Sequence, residues 1–164
     1  TQAQIISQLA FLSYVLEDEE KKTEAAGLIG DMTGTYGRSS LITLLLYHPS
    51  NRKQKETLIK YMGLAEVSAS AKAISLVKKL PLESQDYRLM EDMLRFKKGT
   101  LRKELLALLM GQSEQDMAQC LKRLLEDKKE EKRSAALDLL LRLSKQEGKE
   151  AFYQKVKQIG RAHV

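Results

Sequence analysis

The sequence predicts an all-α protein in which antiparallel helices pack side by side. Apolar residues recur at helical spacing along nearly all of the 164 residues, and no segment alternates apolar and polar residues long enough to form a strand. The two prolines, Pro49 and Pro81, lie between apolar stretches, where they end helices. Roughly eight to ten antiparallel helices are therefore expected along residues 1–164.

Apolar stripes and glycine or proline breaks predict five helices in the first half of the chain: 2–16, 23–32, 38–47, 51–62 and 68–80. The first helix carries the stripe Ile5, Ile6, Leu9, Leu12 and Val15, which is expected to face the core. The mixed acidic and basic stretch 17–22 is expected to connect two helices, and Gly34 and Gly37 to separate the next two.

The second half predicts five more helices: 85–96, 100–110, 114–126, 130–145 and 149–160. Ser84 and Ser113 are candidate N-caps, and Gly111 is a candidate helix stop. Two of these helices have clear candidate core stripes: Leu101, Leu105, Leu108 and Leu109 in one, and Ala136, Leu137, Leu140 and Leu141 in the other.

The helices repeat. Comparison of the chain with itself at an offset of 31 residues superposes apolar positions of successive helix pairs: Ile59, Met90 and Leu121, then Val77, Leu108 and Leu139. Two helices per unit, repeated at a fixed step, predict a solenoid. A compact closed bundle is the alternative architecture.

One unit resembles a known repeat. Residues 121–143 look like a HEAT-type repeat: an apolar helix, Asp127 in the turn, Arg133 early in the second helix, then a stripe of small and apolar residues. The short step is similar to the HEAT-like variety of phycobilin-lyase-type arrays. This resemblance implies an α-α superhelix, a right-handed HEAT-like solenoid that spans residues 1–164.

Neighbouring units match the HEAT-like pattern less well. The unit at 90–110 keeps an arginine, Arg102, but has Phe96 in place of the turn aspartate, and the unit at 59–79 has Ala71 in place of the arginine. With the repeat units divided in this way, the chain begins with the second helix of an incomplete unit and ends with the first helix of another incomplete unit. Because the first helix is too apolar for a terminal cap, we expect the chain to be part of a larger protein.

No catalytic, cofactor or metal motif stands out. His48, His163 and Cys120 lack metal-ligand spacing, and Cys120 lies on an apolar helix stripe where burial is expected. The glycine cluster at 27–37 lacks a preceding strand and the Lys-Ser/Thr of a phosphate-binding loop. We therefore expect no enzyme activity, no cofactor and no metal.

Charge is uneven along the chain. Residues 1–66 hold seven Lys/Arg and eight Asp/Glu, a net of −1, whereas residues 67–164 hold 21 and 14, a net of +7. Such an excess of positive charge favours binding to acidic partners or nucleic acid. The alternative is that these lysines and arginines only keep a helical surface solvated. The repeat offset places Arg102 and Arg133 at equivalent positions, which suggests a basic binding surface: Arg102, Lys103, Lys132 and Arg133.

These features together predict a non-catalytic scaffold that binds other proteins along a helical array. Nucleic-acid binding through the basic second half is the alternative. One cysteine, no signal peptide and no apolar run near the roughly 20 residues of a membrane span predict a cytoplasmic protein without a membrane partner.

Overall fold

The computed structural model describes residues 1–33, 37–96 and 99–162. These residues form ten α-helices and one short 3-10 helix, with no strand among them. The all-α prediction is therefore confirmed. The chain divides into two compact units, residues 1–81 and residues 82–164.

The first unit contains five helices: α1 (Gln2–Val15), α2 (Glu19–Leu28), α3 (Arg38–Leu46), α4 (Arg52–Tyr61) and α5 (Val67–Val77). A 3-10 turn, Ile29–Asp31, follows α2. Helix α1 packs on α2 and α3, and α3 packs in turn on α2, α4 and α5. Helix α4 also contacts α2 and α5. Helices therefore contact both their neighbour in sequence and the helix after it.

The second unit contains the other five helices: α6 (Ser84–Met93), α7 (Gly99–Leu109), α8 (Glu114–Glu126), α9 (Glu130–Ser144) and α10 (Glu150–Ala162). Helices α6 and α7 pack together, as do α8 and α9. Helix α8 also packs on α6 and α10, and α9 packs on α7 and α10. Contacts between alternate helices thus occur in both units.

Helix ends lie within three residues of their predicted positions except at α2, which begins and ends four residues earlier than predicted. Helix α2 begins at Glu19, because the Asp18 side chain caps it by accepting a hydrogen bond from the Lys21 backbone N–H. Helix α6 is capped by Glu83 and not by Ser84, whereas Ser113 caps α8 as predicted. Gly37 lies before α3 with φ 98°, and Gly34 falls outside the described residues.

The predicted core faces of α1 and α9 are wrong in part. Helix α1 buries Ile6, Ala10 and Ser13, so most of its predicted stripe faces outward. Helix α9 buries a stripe rotated from the prediction: Ala135, Ala136, Leu139 and Leu143. Leu137 and Leu141 are consequently exposed, at 53% and 55%. The stripe of α8 that includes Cys120 is buried as predicted.

Candidate interaction surfaces

The structure places Arg102 in a joint between two helices. From the first turn of α7, its guanidinium reaches α9 and donates to Asp138 Oδ2 at 2.6 Å, Ser134 Oγ at 3.3 Å and the Glu131 carbonyl at 3.2 Å. The Arg102 side chain is half-buried. Its charge is therefore largely directed at partners inside the second unit.

The other predicted binding residues differ in how free they are. Arg133 is exposed, but its Nη1 donates to the carbonyls of Asp127 and Lys128, both at 2.8 Å. Lys132 pairs with Asp92 at 3.2 Å and Asp127 at 3.3 Å, and these carboxylates raise its pKa against the opposing effect of burial. Lys103 is exposed and has no hydrogen-bond or ion-pair partner within the described ranges.

Arg102 reaches the first turns of α9, the helix that carries Arg133. Arg102 contacts Glu131 and Ser134, which flank Arg133 in the first turn of α9. A cleft of 390 Å³ opens beside this joint, lined by Phe96, Arg102, Glu130, Glu131 and Ser134. The carboxylates in this wall offset the arginine charge, so the joint is not a purely cationic surface.

Arg38, which the sequence analysis did not single out, makes a similar joint in the first unit. Its Nε donates to the Ile29 carbonyl at 3.3 Å, Nη2 to the Met32 carbonyl, and Nη1 to Glu66 Oε2 at 3.1 Å. One guanidinium thus binds the preceding turn and also the residue that caps α5. The sequence signal that could have identified Arg38 was its position at the start of a helix, directly after Gly37.

A second cluster that sequence reasoning missed surrounds Glu91 on α6. Its carboxylate is 6% exposed and accepts from Arg123 Nη2 at 2.6 Å and Nε at 3.1 Å. This hydrogen bond is the main cause of the raised pKa of Arg123. A cleft of 290 Å³ adjoins the pair and also borders the Lys132 ion pairs. Its charged groups satisfy one another, so the cluster joins α6 to α8.

An uncovered apolar surface lies on α1. Seven large apolar side chains of this helix and its C-cap are exposed: Ile5, Leu9, Phe11, Leu12, Tyr14, Val15 and Leu16. Helix α1 contains no charged residue. Beside it, α2 completes a groove of 130 Å³ whose apolar wall includes Leu9, Leu12 and Leu28. A contiguous apolar surface of this kind is typical of an interaction site.

Within the described residues, nothing assembles a metal centre or an activated nucleophile. No group of three His, Cys, Asp or Glu side chains could hold a metal ion there. Burial, with a further contribution from Glu91, raises the pKa of the Cys120 thiol to about 12. His163 lies outside the described residues. No described helix combines the length and the apolar character that crossing a bilayer requires.

The chain belongs to a protein family. Residues 1–162 match the family described as "Family of unknown function (DUF5724)". No curated protein and no solved structure matches the chain. Family membership therefore covers nearly the whole chain, and functional inference depends on the surfaces described above.

Proposed function

We propose that the chain is a non-catalytic protein-binding module built from stacked HEAT-like helix hairpins, and that the exposed face of α1 binds a partner protein. The observation that carries this proposal is the row of large apolar side chains on α1. Leu16, at 71% exposed, shows how little of this surface the unit itself covers.

The packing order supports the stacked-hairpin part of the proposal. In the first unit α2 packs on α4, and α3 packs on both α1 and α5. In the second unit α8 packs on both α6 and α10, and α7 packs on α9. Contact between alternate helices is what stacking of successive hairpins produces.

Polar contacts between the helices support the same period. Gly30 N–H donates to Tyr61 Oη at 3.0 Å, across 31 residues, and Gln54 Nε2 donates to Thr23 Oγ1 at 3.1 Å across the same separation. In the second unit, Glu91–Arg123 joins side chains 32 residues apart. Hydrogen bonds at separations of 31 or 32 residues are expected when equivalent helices lie side by side.

The exposed stripe of α1 also indicates what it binds. Ile5, Leu9, Leu12 and Leu16 recur at intervals of four, three and four residues. This is the spacing with which one helix packs along another. We therefore assign the site a partner-protein helix that presents large aliphatic side chains at the same spacing. The uncharged α1 favours an apolar contact over an ion-paired one.

The ion pairs weaken the competing case for nucleic-acid binding. Arg102, Arg123 and Lys132 are all bonded to carboxylates inside the second unit. Phosphate contacts would have to break these pairs, whereas a nucleic-acid-binding surface normally leaves its cations available. Protein binding through α1 requires no such loss.

Photo-crosslinking tests the proposal. Phe11, exposed on α1, is replaced by p-benzoylphenylalanine in the otherwise intact protein in its native host. We expect a discrete protein adduct that disappears when Leu9→Glu and Leu12→Glu are added. Leu137→Glu with Leu141→Glu is the matched control, because it adds two charges at exposed leucines of α9 and should leave the adduct in place.

The opposite outcome has two forms. Adducts that survive the double change would not depend on the apolar stripe, so the assigned surface would be wrong. Binding of duplex or single-stranded nucleic acid with a steep loss of affinity as salt rises would favour the alternative function.

A further inference from the structure

A second apolar surface lies at α9 and α10 in the other unit. Leu137 and Leu141 project from α9, at 53% and 55% exposed. A groove of 360 Å³ runs beside them, lined by Leu137, Leu140, Tyr153, Lys157, Gly160 and Arg161. Its floor is apolar, and its only charged lining side chains are cations.

The chain itself shows what covers the equivalent surface one repeat earlier. At the offset of 31 residues, Leu106 and Leu109 on α7 correspond to Leu137 and Leu140 on α9. Helix α9 packs on α7, and Leu106 is only 4% exposed. Leu106 is thus buried, whereas its equivalent Leu137 is 53% exposed. The occupant of the open face is accordingly a helix.

Arginine geometry indicates the charge that this helix should carry. Arg102 crosses from α7 to Asp138 in the third turn of α9. Its equivalent, Arg133, bonds turn carbonyls through Nη1, and its Nε and Nη2 have no partner within the described ranges. Arg38 shows that one guanidinium can bind a turn carbonyl and a carboxylate at the same time, since it bonds both Ile29 and Glu66. Arg133 therefore has donors left for a carboxylate on an added helix.

The cations of the groove favour acidic residues at the start of the same helix. Lys157 and Arg161 lie near the end of α10 and have no acidic partner in the described part of the chain. A helix that followed α10 in antiparallel order would begin there. Acids in a first turn also complement the helix dipole, and α9 itself begins with Glu130 and Glu131.

We propose that the α9–α10 face binds a partner helix of α9-like chemistry: acids in the first turn, a stripe of small and apolar residues, and a carboxylate in the third turn that pairs with Arg133. This inference rests on the proposed function, because the occupant is derived from the stacking of hairpins. It adds a second site and states the chemistry of its ligand.

The probe is a fluorescent, helix-stapled peptide with the sequence of residues 129–145, titrated against the whole chain by fluorescence anisotropy. We expect saturable binding that Leu137→Glu with Leu141→Glu weakens at least about tenfold. The matched control, Leu9→Glu with Leu12→Glu on α1, should change the affinity by less than about twofold. Because all four side chains are exposed, these variants should remain folded.

A double-mutant cycle tests the predicted ion pair. Arg133→Ala in the protein and Asp138→Ala in the peptide should each weaken binding by about threefold or more. The two changes together should cost little more than either alone, because they remove the same contact. Additive losses would show that Arg133 does not pair with the third-turn carboxylate and would overturn that part of the assignment.

Three outcomes would overturn the docking site itself. In the first, the peptide gives no saturable anisotropy change with the wild-type protein and does not protect residues 137–161 from hydrogen exchange. Another is peptide binding unaffected by the two α9 changes. The third is a dimer that Leu137→Glu converts to a monomer, since a second copy would then occupy the face. If the Phe11 adduct persists in these cases, the proposed function stands without this site.

Discussion

Glu19 is an example of a single surface carboxylate that joins two helices. From the first turn of α2 it accepts hydrogen bonds from Ser50 Oγ, from Lys22 Nζ at 2.9 Å and from Gln54 Nε2 at 3.0 Å. These bonds, that of Ser50 foremost, lower the pKa of the Glu19 carboxyl to about 2. Its ionised form is thus tied to the folded state.

We expect Glu19→Gln to destabilise the protein in a pH-dependent way. Because the folded-state pKa lies below the ordinary 4.5, the carboxylate stabilises the fold above that value and loses this effect as pH falls toward 2. The side chain is 47% exposed, so the loss at pH 7 should be only about 1 kcal/mol after solvent screening. Urea unfolding between pH 3 and 7 measures it, and a pH-independent difference would contradict the explanation.

The buried pair of Glu91 and Arg123 should respond more strongly to substitution. Arg123→Ala leaves a buried carboxylate without its bidentate partner, which costs about 3 kcal/mol of unfolding free energy. Arg88→Ala is the control: its side chain is exposed and 3.9 Å from the same carboxylate, so its loss should cost under about 0.5 kcal/mol. Chemical denaturation measures both variants, and equal losses of unfolding free energy would contradict a stabilising role of the Glu91–Arg123 pair.

At the scale of helices, Arg102 tests whether a predicted binding residue has a structural role. Arg102→Ala removes three hydrogen bonds between α7 and α9, so we expect a loss of about 1–2 kcal/mol in unfolding free energy. Lys103→Ala, one position along and exposed, should change stability by less than about 0.5 kcal/mol. Thermal unfolding compares them, and an unchanged Tm for Arg102→Ala would leave this arginine free for a partner.

Two glycines near α2 should respond to alanine with opposite signs. Gly27 lies within α2 and a Cβ there would meet nothing within 4 Å, so Gly27→Ala should raise the unfolding free energy by about 0.5–1 kcal/mol. At Gly30 a Cβ would lie 3.1 Å from Tyr61 Cε1. Gly30→Ala should displace Tyr61, which bonds both Gly30 N–H and the Ala26 carbonyl, and cost about 1–2 kcal/mol in the same unfolding assay. Loss of stability in both variants would contradict this.

Sequence patterns located the helices better than the faces they bury. Helical period, caps and breakers fix where a helix lies, and Ser113 and Gly111 were sufficient for α8 and the end of α7. A helix that is apolar on several sides has no unique stripe, which is why Ile5 on α1 and Leu137 on α9 were wrongly assigned to the core. Their burial depends on which other helices are present, and that information is not local.

The candidate site was only partly predictable for a related reason. The sequence singled out Arg102, and the structure shows its guanidinium bonded to Glu131 and Ser134 at the start of α9. Whether a cation is free depends on acids far away in sequence, such as Asp138 for Arg102, 36 residues on. Net charge alone therefore overstated how much positive surface the second half offers to a ligand.

For the molecule as a whole, the single cysteine of the sequence reports on opening of the second unit. Cys120 is fully buried, and burial raises the pKa of its thiol to about 12. A thiol with this pKa is ionised to about one part in 10⁵ at pH 7, and only the thiolate reacts with disulfide reagents. Native labelling by 5,5′-dithiobis(2-nitrobenzoate) should therefore be at least about 10³-fold slower than labelling of the urea-unfolded chain.

The dependence of the Cys120 labelling rate on pH and urea distinguishes protection by burial from a slow intrinsic reaction of the thiol. Because folding raises this pKa, the protonated thiol favours the folded state below about pH 9, and that contribution declines as pH rises toward 12. The labelling rate should increase with urea below the unfolding midpoint if opening of the second unit controls access. Arg123→Ala removes the ion pair that joins α8 to α6, so it should accelerate labelling by making the second unit open more often, whereas Lys103→Ala should not. Rapid labelling of the native wild-type protein would mean that the α8 stripe is accessible to solvent.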